Sequence, residues 1–265
     1  MLFSIITICY NSERTIERTI KSVLVQTFKD YEYIIVDGGS KDLTLDIVKK
    51  YEPLFEGRMK WKSEPDRGIY DAMNKGIMQS SGTIIGIVNS DDWLEPDALC
   101  LVEDCYRNND SKYMSICCGW MNFYYDNGAI QVLKTDEKLM KSMAKVYEMG
   151  GIRHPATFVP KSLYEKIGLF DISIRIMADT DLILRFVEND VNFIFPNRII
   201  TNMSDGGASN LGLMKACRDY SIILKKRNVV GGKYLLLYYK WCTKRYIKGL
   251  LPIRIIEIIR DIKKS

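Results

Sequence analysis

The chain has 265 residues, of which 47% are hydrophobic and 27% charged, a composition typical of a globular protein with a sizeable core. It contains seven cysteines without a CxxC pair and a single histidine, which together exclude a zinc-finger or His-rich metal site. The net charge of +5 is uneven, because the residues from Lys225 onward hold twelve basic and only two acidic side chains.

The first 90 residues alternate predicted strands and helices. In chain order they are a strand over 3–9, a helix capped by Asn11 or Ser12 and ending near 25, a strand over 33–36, a helix over 44–51, a strand over 59–61, a helix over 69–79 and a strand over 83–88. Such an alternation predicts an α/β fold, with a mostly parallel, Rossmann-like sheet flanked by helices.

Acidic residues follow two of these strands. In open α/β sheets the ligand crevice lies at the carboxyl ends of the strands. The pair Asp91–Asp92 suits a divalent cation shared with substrate phosphates, but Ser90, Asp91 and Asp92 could equally cap a helix starting near Leu94. Asp37 could bind a ribose or a base, or simply belong to a turn with the glycines that follow it.

The second half predicts a β-hairpin, with strands over 117–121 and 129–132 joined by the turn at 126–128. Further on, Asp179 and Asp181 open an apolar helix, where one acid serves as cap and dipole partner and leaves the other free. His154 fits a binding-site residue, a metal ligand or a hydrogen-bonded interior residue. Walker A and GxGxxG motifs are absent, which argues against P-loop NTPases and dinucleotide dehydrogenases.

The basic end of the chain predicts amphipathic helices. Residues 233–265 mix aliphatic and aromatic residues with Lys and Arg, and no apolar run reaches the ~18 residues that span a bilayer. After Pro252, Arg254, Glu257 and Asp261 share one helical face. We expect peripheral membrane contact, with packing on the main domain or a homo-oligomer contact as alternatives. Nucleic-acid binding fits poorly, because the basic residues are mixed with many aliphatic ones and no motif for nucleic-acid recognition is present.

Five ordered motifs resemble the family-2 GT-A glycosyltransferases, and the resemblance covers roughly residues 2–210. They are TICYN at 7–11, SVLVQT at 22–27, IVDGGSKD at 35–42, SEPDRGIYDAMNKG at 63–76 and NSDD at 89–92.

The resemblance implies a role for each matching residue. Residues that would bind the nucleotide-sugar donor are Thr7, Tyr10, Glu13, Asp37, Asp66, Arg67, Asp71, Asn74 and Asp91. Asp92 would ligate Mn²⁺ or Mg²⁺, although Ser90 replaces the first acid of the family's Asp-x-Asp motif. Asp179 would be the catalytic base that deprotonates the acceptor hydroxyl. The resemblance assigns no role to His154, which could contact the acceptor or the diphosphate.

The resulting prediction is a GT-A fold, with a catalytic domain over 1–222 (nucleotide-sugar half 1–110, acceptor half 111–222) and a basic amphipathic helical tail over 223–265. We expect inverting, metal-dependent transfer from a nucleotide sugar, UDP-linked, to a saccharide acceptor. A polyprenyl-diphosphate-linked acceptor at the cytoplasmic face of the inner membrane fits the tail, as in bacterial surface-polysaccharide assembly. A nucleotidyltransferase and a catalytically silent binding subunit are the alternatives.

Overall fold

The computed structural model describes residues 1–109, 113–145, 147, 152–205 and 212–250, with only the backbone at 143 and 248–250. The contacts of the chain divide it into two compact units, Met1–Gly207 and Ala208–Ser265. The predicted boundary between residues 222 and 223 falls inside a helix of the second unit, Leu213–Lys226.

Eleven strands lie within the described residues. They are β1 (Phe3–Cys9), β2 (Tyr31–Asp37), β3 (Met59–Ser63), β4 (Ile84–Ile87), β5 (Trp93–Leu94), β6 (Ile116–Cys118), β7 (Trp120–Tyr124), β8 (Ile130–Leu133), β9 (Thr157–Pro160), β10 (Phe193–Ile194) and β11 (Ile199–Ser204). The predicted strands of the first 90 residues are all present, and β2 and β3 extend beyond the predicted limits.

Nine α-helices lie in the same part of the chain. They are α1 (Ile16–Leu24), α2 (Thr44–Tyr51), α3 (Ile69–Gln79), α4 (Ala98–Arg107), α5 (Glu137–Ala144), α6 (Lys161–Ile167), α7 (Ala178–Glu188), α8 (Leu213–Lys226) and α9 (Gly231–Leu250), with short 3₁₀ turns at Glu52–Phe55 and His154–Ala156. The α2 and α3 limits match the prediction.

The larger sheet has seven strands in the order β10-β6-β9-β4-β1-β2-β3. All neighbouring pairs are parallel except the two that β9 forms with β4 and β6. Every residue of β1 and β2 is buried, as expected for central parallel strands covered by helices on both faces. The predicted mostly parallel α/β sheet flanked by helices is therefore confirmed.

Helix α3 packs closely against the central strand β1. A Cβ atom at Gly76 would lie 2.4 Å from Cγ2 of Ile6, so only glycine allows the helix to approach the sheet this closely. Helix α3 also begins directly after the loop that follows β3. Its seat on the sheet therefore fixes the position of the residues at its N-terminal end.

A second sheet has four strands in the order β5-β11-β7-β8. The β7–β8 hairpin is antiparallel, as predicted, but the predicted single strand over 117–121 is wrong. This segment forms two strands separated by Gly119, because β6 ends before it in the larger sheet and β7 begins after it in the smaller one. The alternative in which residues 90–92 cap a helix near Leu94 is also wrong, because Leu94 belongs to β5 and α4 begins at Ala98.

Helix α1 begins later than predicted. It starts at Ile16, and neither Asn11 nor Ser12 caps it with a side chain. The backbone carbonyl of Ser12 instead accepts hydrogen bonds from the amides of Thr15 and Ile16, 3.0 Å each. The Ser12 side chain is thereby available for a contact elsewhere in the molecule.

In the second unit, α8 and α9 pack on each other as a helical hairpin. The rings of Tyr220 and Trp241 stack at 4.6 Å, and the hydroxyls of Ser221 and Tyr234 are 2.9 Å apart. The predicted helical region at the C-terminal end is therefore present, while the amphipathic pattern predicted after Pro252 lies outside the described residues. Within the described chain, no helix combines the length and apolar character needed to cross a membrane.

Candidate active site

The loops that follow β1, β2 and β3 meet at the carboxyl edge of the larger sheet. The amide of Gly38 donates to the carbonyl of Cys9 (2.9 Å), and the amide of Glu64 donates to the carbonyl of Asp37 (3.0 Å). Since β1, β2, β3 and β4 run in the same direction, the candidate residues that follow them share this edge.

Asp37 organises the loop after β2. Its buried carboxylate accepts hydrogen bonds from the amides of Gly39 (3.0 Å) and Ser40 (2.9 Å) and from the hydroxyls of Ser63 (2.6 Å) and Ser40. Burial by itself would raise the pKa of Asp37, but these hydrogen bonds outweigh it and lower the pKa. Both carboxylate oxygens therefore hold the loop in this structure.

Tyr10 and Asp66 both lie close to Gly38. A Cβ atom at Gly38 would lie 2.5 Å from Oδ2 of Asp66 and 3.4 Å from the Tyr10 ring. The other oxygen of Asp66 accepts the amide of Gly68 at 2.8 Å, while Tyr10 is 61% exposed. The absence of a side chain at Gly38 thus leaves an open aromatic face near a carboxylate, an arrangement suited to a base and ribose.

Two further residues brace the same loops. The Asn11 side chain accepts the amide of Lys41 at 2.8 Å, and Glu13 accepts the amide of Leu43 at 3.0 Å. Asn11 has a φ of 49°, in the left-handed region that asparagine tolerates well. The structure therefore places Glu13 in support of the loop after β2.

Arg67, Asp71 and Lys75 form a charged group at the start of α3. The Asp71 carboxylate accepts the amide and the guanidinium of Arg67, 3.0 Å each, and lies 3.7 Å from the Lys75 ammonium. The backbone hydrogen bond from Arg67, followed by its side-chain hydrogen bond and its charge, lowers the pKa of Asp71 despite burial. The Arg67 side chain stays 74% exposed, so its guanidinium remains accessible to an anion.

Two predicted donor residues lie away from this cluster. Thr7 is fully buried in β1, and its hydroxyl accepts the Tyr33 hydroxyl at 3.0 Å. The Asn74 side chain donates to the carbonyl of Phe170 (2.9 Å) and accepts its amide (3.0 Å). Asn74 therefore fastens the 170 region to α3, and Thr7 serves the interior of the sheet.

The acidic loop after β4 contains one deeply buried carboxylate. Asp92 is fully buried; its Oδ2 accepts the Asn89 side-chain amide at 2.9 Å, while its Oδ1 has no hydrogen-bond donor. Burial, and then the charge of Asp91, raise the pKa of Asp92 well above its ordinary value, and burial also raises that of Asp91. The buried Oδ1 atom of Asp92 therefore lacks a hydrogen-bond donor or a cation to stabilise its charge.

This donor set fits a divalent cation that the substrate helps to hold. No cluster of three or more His, Cys, Asp or Glu side chains suited to a metal occurs in the described ranges. Mg²⁺ and Mn²⁺ are commonly held by one or two carboxylates and completed by substrate phosphates and water. Asp92, through its unpaired oxygen, and the half-buried Asp91 would supply the protein ligands of such a cation.

Ser90, which replaces the first acid of the motif, is engaged elsewhere. Its hydroxyl lies 2.8 Å from the hydroxyl of Ser12, which joins the loop after β4 to the loop after β1. Sequence reasoning missed this bridge. It also missed Arg18, whose guanidinium lies 3.7 Å from the Trp93 ring centre and donates to the carbonyl of Asp91 at 2.8 Å.

Asp179, the predicted base, is the second residue of α7. Its Oδ1 accepts the amide of Thr180 at 2.7 Å and lies 3.3 Å from the hydroxyl of Tyr70. Burial raises the pKa of Asp179, against the hydrogen bonds and the charge of Arg153, which lower it. Asp181, two residues further on, is buried and paired with Arg185 at 3.0 Å, so it has the structural role.

His154 lies close to the same region. Its ring meets the Phe170 ring edge-on, with the ring centres 5.3 Å apart. Phe170 in turn stacks on Tyr70 at 5.3 Å. Burial lowers the pKa of His154 to about 4, so the imidazole is neutral near pH 7 and fits a hydrogen-bonding role rather than a cationic one.

Solved structures place this fold among GT-A proteins. Over 84% of this chain it matches S. aureus TarS 1–349 in complex with UDP-GlcNAc, with a TM-score of 0.63 and 19% identity. The mannosyltransferase PcManGT from Pyrobaculum calidifontis, in complex with GDP-Man and Mn²⁺, matches over 91% with a TM-score of 0.65 and 15% identity. The chain spans 65% and 69% of those two chains, and 39% of a longer TarS chain.

The chain belongs to glycosyl transferase family 2, whose family model matches residues 4–158. A PGL/p-HBAD biosynthesis glycosyltransferase of Mycobacterium bovis is 32% identical over 192 residues, which cover 71% of this chain and 70% of that protein. The predicted family is thus confirmed.

Proposed function

We propose that the protein transfers a sugar from a UDP-linked donor to a saccharide acceptor hydroxyl, with inversion at the anomeric carbon. The observation that carries the proposal is the carboxylate of Asp179, which is half-buried and has a raised pKa. It is joined through Tyr70 to helix α3, whose first turn contains Asp71, the partner of Arg67. A base with a raised pKa accepts a proton more readily near neutral pH. Single displacement at the anomeric carbon requires this base and no enzyme nucleophile.

The nucleotide-sugar donor would bind to the loops at the carboxyl edge of the larger sheet. Tyr10 and Asp66 would receive the uridine, and Arg67 would approach the diphosphate. Structural relatives in complex with UDP-GlcNAc and with GDP-Man and Mn²⁺ support a nucleotide sugar and a divalent metal as the chemistry to test. Bound at Asp92 and Asp91, that metal would neutralise the charge that develops on the leaving diphosphate.

The test is a thermal-shift screen of the full chain with UDP-, GDP- and dTDP-sugars, each with and without Mn²⁺, followed by assay of nucleotide release. A bound donor raises the unfolding temperature by mass action. We expect a manganese-dependent shift with one UDP-sugar, and its loss in Asp92→Asn. Asp97→Asn is the matched control, because Asp97 is exposed at the start of α4 and makes no side-chain cap.

The second pair of variants tests the base. Asp179→Asn should keep the donor-dependent shift and lose about a hundredfold or more in turnover, the usual contribution of a general base. Asp190→Asn is its control, since Asp190 is exposed just after α7 and has a φ of 53°, which asparagine adopts readily. Full turnover in both Asp92→Asn and Asp179→Asn would overturn the proposal in favour of a different site.

For the tail we propose peripheral contact with an anionic membrane, which places the enzyme on the cytoplasmic face of the inner membrane with a polyprenyl-diphosphate-linked acceptor. On α9, the apolar residues Leu235, Leu236, Tyr239, Tyr246 and Ile247 are all about half exposed or more. They lie opposite Trp241, which packs on α8, and the exposed Lys240 and Lys244 flank them. An apolar face bordered by lysines is the pattern of an interfacial helix.

Vesicle sedimentation tests the tail. The full chain should sediment with phosphatidylglycerol vesicles and much less with phosphatidylcholine vesicles. Leu236→Asp should abolish the binding, while Met214→Asp, an 87% exposed methionine on α8, should leave it intact. Equal sedimentation of the two variants would refute the assignment of this face, and self-association of the protein without vesicles would favour a homo-oligomer contact.

A further inference from the structure

The segment that contains Asp179 is attached to helix α3 by three separate contacts. Asn74 holds the backbone of Phe170 through both its amide and its carbonyl, at 3.0 and 2.9 Å. The Tyr70 ring stacks on the Phe170 ring at 5.3 Å. The Tyr70 hydroxyl then reaches the carbonyl of Ile176 at 2.7 Å and Oδ1 of Asp179 at 3.3 Å. The same helix presents Asp71 to Arg67 one residue further on.

Tyr70 is suited to donate rather than to accept a proton here. Its side chain is 8% exposed, and burial, followed by the charge of Asp179, raises its pKa well above 10. The hydroxyl therefore keeps its proton and shares it between the two acceptor oxygens. Its hydrogen bond favours the ionised form of Asp179, as does the positive charge of Arg153, whereas burial favours the neutral form.

Both hydrogen bonds from other residues reach the same oxygen of Asp179. Thr180 and Tyr70 both contact Oδ1, and no other described residue donates a hydrogen bond to Oδ2. An anchored carboxylate with one uncommitted oxygen has a defined orientation. Oδ2 is then the oxygen available to an acceptor hydroxyl.

We infer that Tyr70 is a positioning residue, whose hydroxyl orients the carboxylate of Asp179 for proton abstraction and couples it to the donor-binding end of α3. The inference deepens the proposed function and rests on it only for the role of Asp179 as base. The contact between Tyr70 and Asp179 can be tested without any substrate. The two claims can therefore fail separately.

The first experiment is a ¹³C NMR titration of the full chain labelled at aspartate carboxyls, with the Asp179 signal identified by its absence in Asp179→Asn. Tyr70→Phe removes only the hydroxyl, so the pKa of Asp179 should move to a higher value. Tyr164→Phe is the matched control: Tyr164 is also buried beside Phe170, at 6.4 Å between ring centres, but its hydroxyl does not contact Asp179. An unchanged titration of Asp179 in Tyr70→Phe would overturn the inference.

The second experiment measures nucleotide release with the donor identified by the thermal-shift screen. Tyr70→Phe should lower kcat about tenfold, the effect of losing one hydrogen bond to a charged group, while the donor KM stays within about twofold. The acid limb of the kcat profile should move to higher pH in Tyr70→Phe alone. The donor-dependent thermal shift verifies that each variant is folded.

The combined outcomes separate the two claims. If Tyr70→Phe changed the pKa of Asp179 but not kcat, the contact would be verified and the positioning role of Tyr70 in catalysis would be refuted. If Asp179→Asn were also fully active, the role of Asp179 as the base would be refuted as well. A kcat loss equal in Tyr70→Phe and Tyr164→Phe would indicate general disturbance of the Phe170 packing, and would refute a specific role for the Tyr70 hydroxyl.

Discussion

Replacement of Asp37 by asparagine should destabilise the protein strongly, because its carboxylate gathers the loop at the carboxyl edge. Five donors point at its two oxygens: the amides of Gly39 and Ser40, the hydroxyls of Ser40 and Ser63, and the thiol of Cys9. Asparagine retains one acceptor oxygen and turns an NH₂ group toward donors that previously had a partner.

The expected loss follows from the number of bonds removed. Two hydrogen bonds to a buried charged group are lost, each contributing about 1.5–3 kcal/mol, so Asp37→Asn should cost about 3–6 kcal/mol. For a chain of this size that corresponds to a fall of roughly 6–24 °C in Tm. Calorimetry of the full chain measures it, and Asp46→Asn, an exposed acid in the first turn of α2, should cost under about 1 kcal/mol.

The pH dependence gives a second test of the same residue. Because the pKa of Asp37 is lowered by folding, its contribution to stability is complete above its ordinary value of 3.8 and is lost as the pH falls below it. The stability difference between the wild type and Asp37→Asn should therefore shrink as the pH is lowered from 5 to 3. A cost no larger than that of Asp46→Asn, or a difference independent of pH, would refute the structural role assigned to Asp37.

Three further outcomes are expected. Hydrogen bonds that include those from Ser4 and Lys60 lower the pKa of buried Glu32 to about 2 despite desolvation. Glu32→Gln should therefore lower Tm at pH 7, and its difference in Tm from the wild type should shrink as the pH falls from 4.5 toward 2. Asn74→Ala should lower kcat more than donor affinity, measured by nucleotide release and thermal shift, because it frees the Phe170 backbone. In the folded protein His154 stays neutral down to about pH 4, whereas in the unfolded chain it takes up a proton near pH 6.5. The free energy of unfolding should therefore rise as the pH is raised from 4 to 6.5, and this rise should be smaller in His154→Gln.

Much of the fold could be predicted because local patterns and tertiary structure agree in the first half of the chain. Apolar runs such as that of β1 are typical of buried parallel strands, and α3 has a regular helical period with a clear start. The exchange of sheets at Gly119 could not be predicted. It depends on the pairing of β6 with β9 and of β7 with β11, which are distant in sequence.

The candidate site was predictable in its residue types but only partly in its contacts. The motifs named Asp37, Asp66 and Asp92, yet the sequence cannot tell whether an oxygen points at a ligand or at a neighbouring loop. The buried position of Thr7 and the bond between Ser12 and Ser90 both depend on exact side-chain direction. For the same reason Tyr70 could be recognised as part of a motif but not as a partner of Asp179.

The contact between Gly76 and Ile6 also limits how this protein can change over evolution. Because α3 has no clearance above β1, it cannot turn or slide to accommodate an altered sequence. A single residue inserted between Asn74 and Gly76 would rotate one end of the helix by about 100° relative to the other and separate Tyr70 from the Asp179 segment. Insertions should therefore accumulate in the loops around this helix, and the spacing from Tyr70 to Gly76 should tolerate exchange of side chains but not of length.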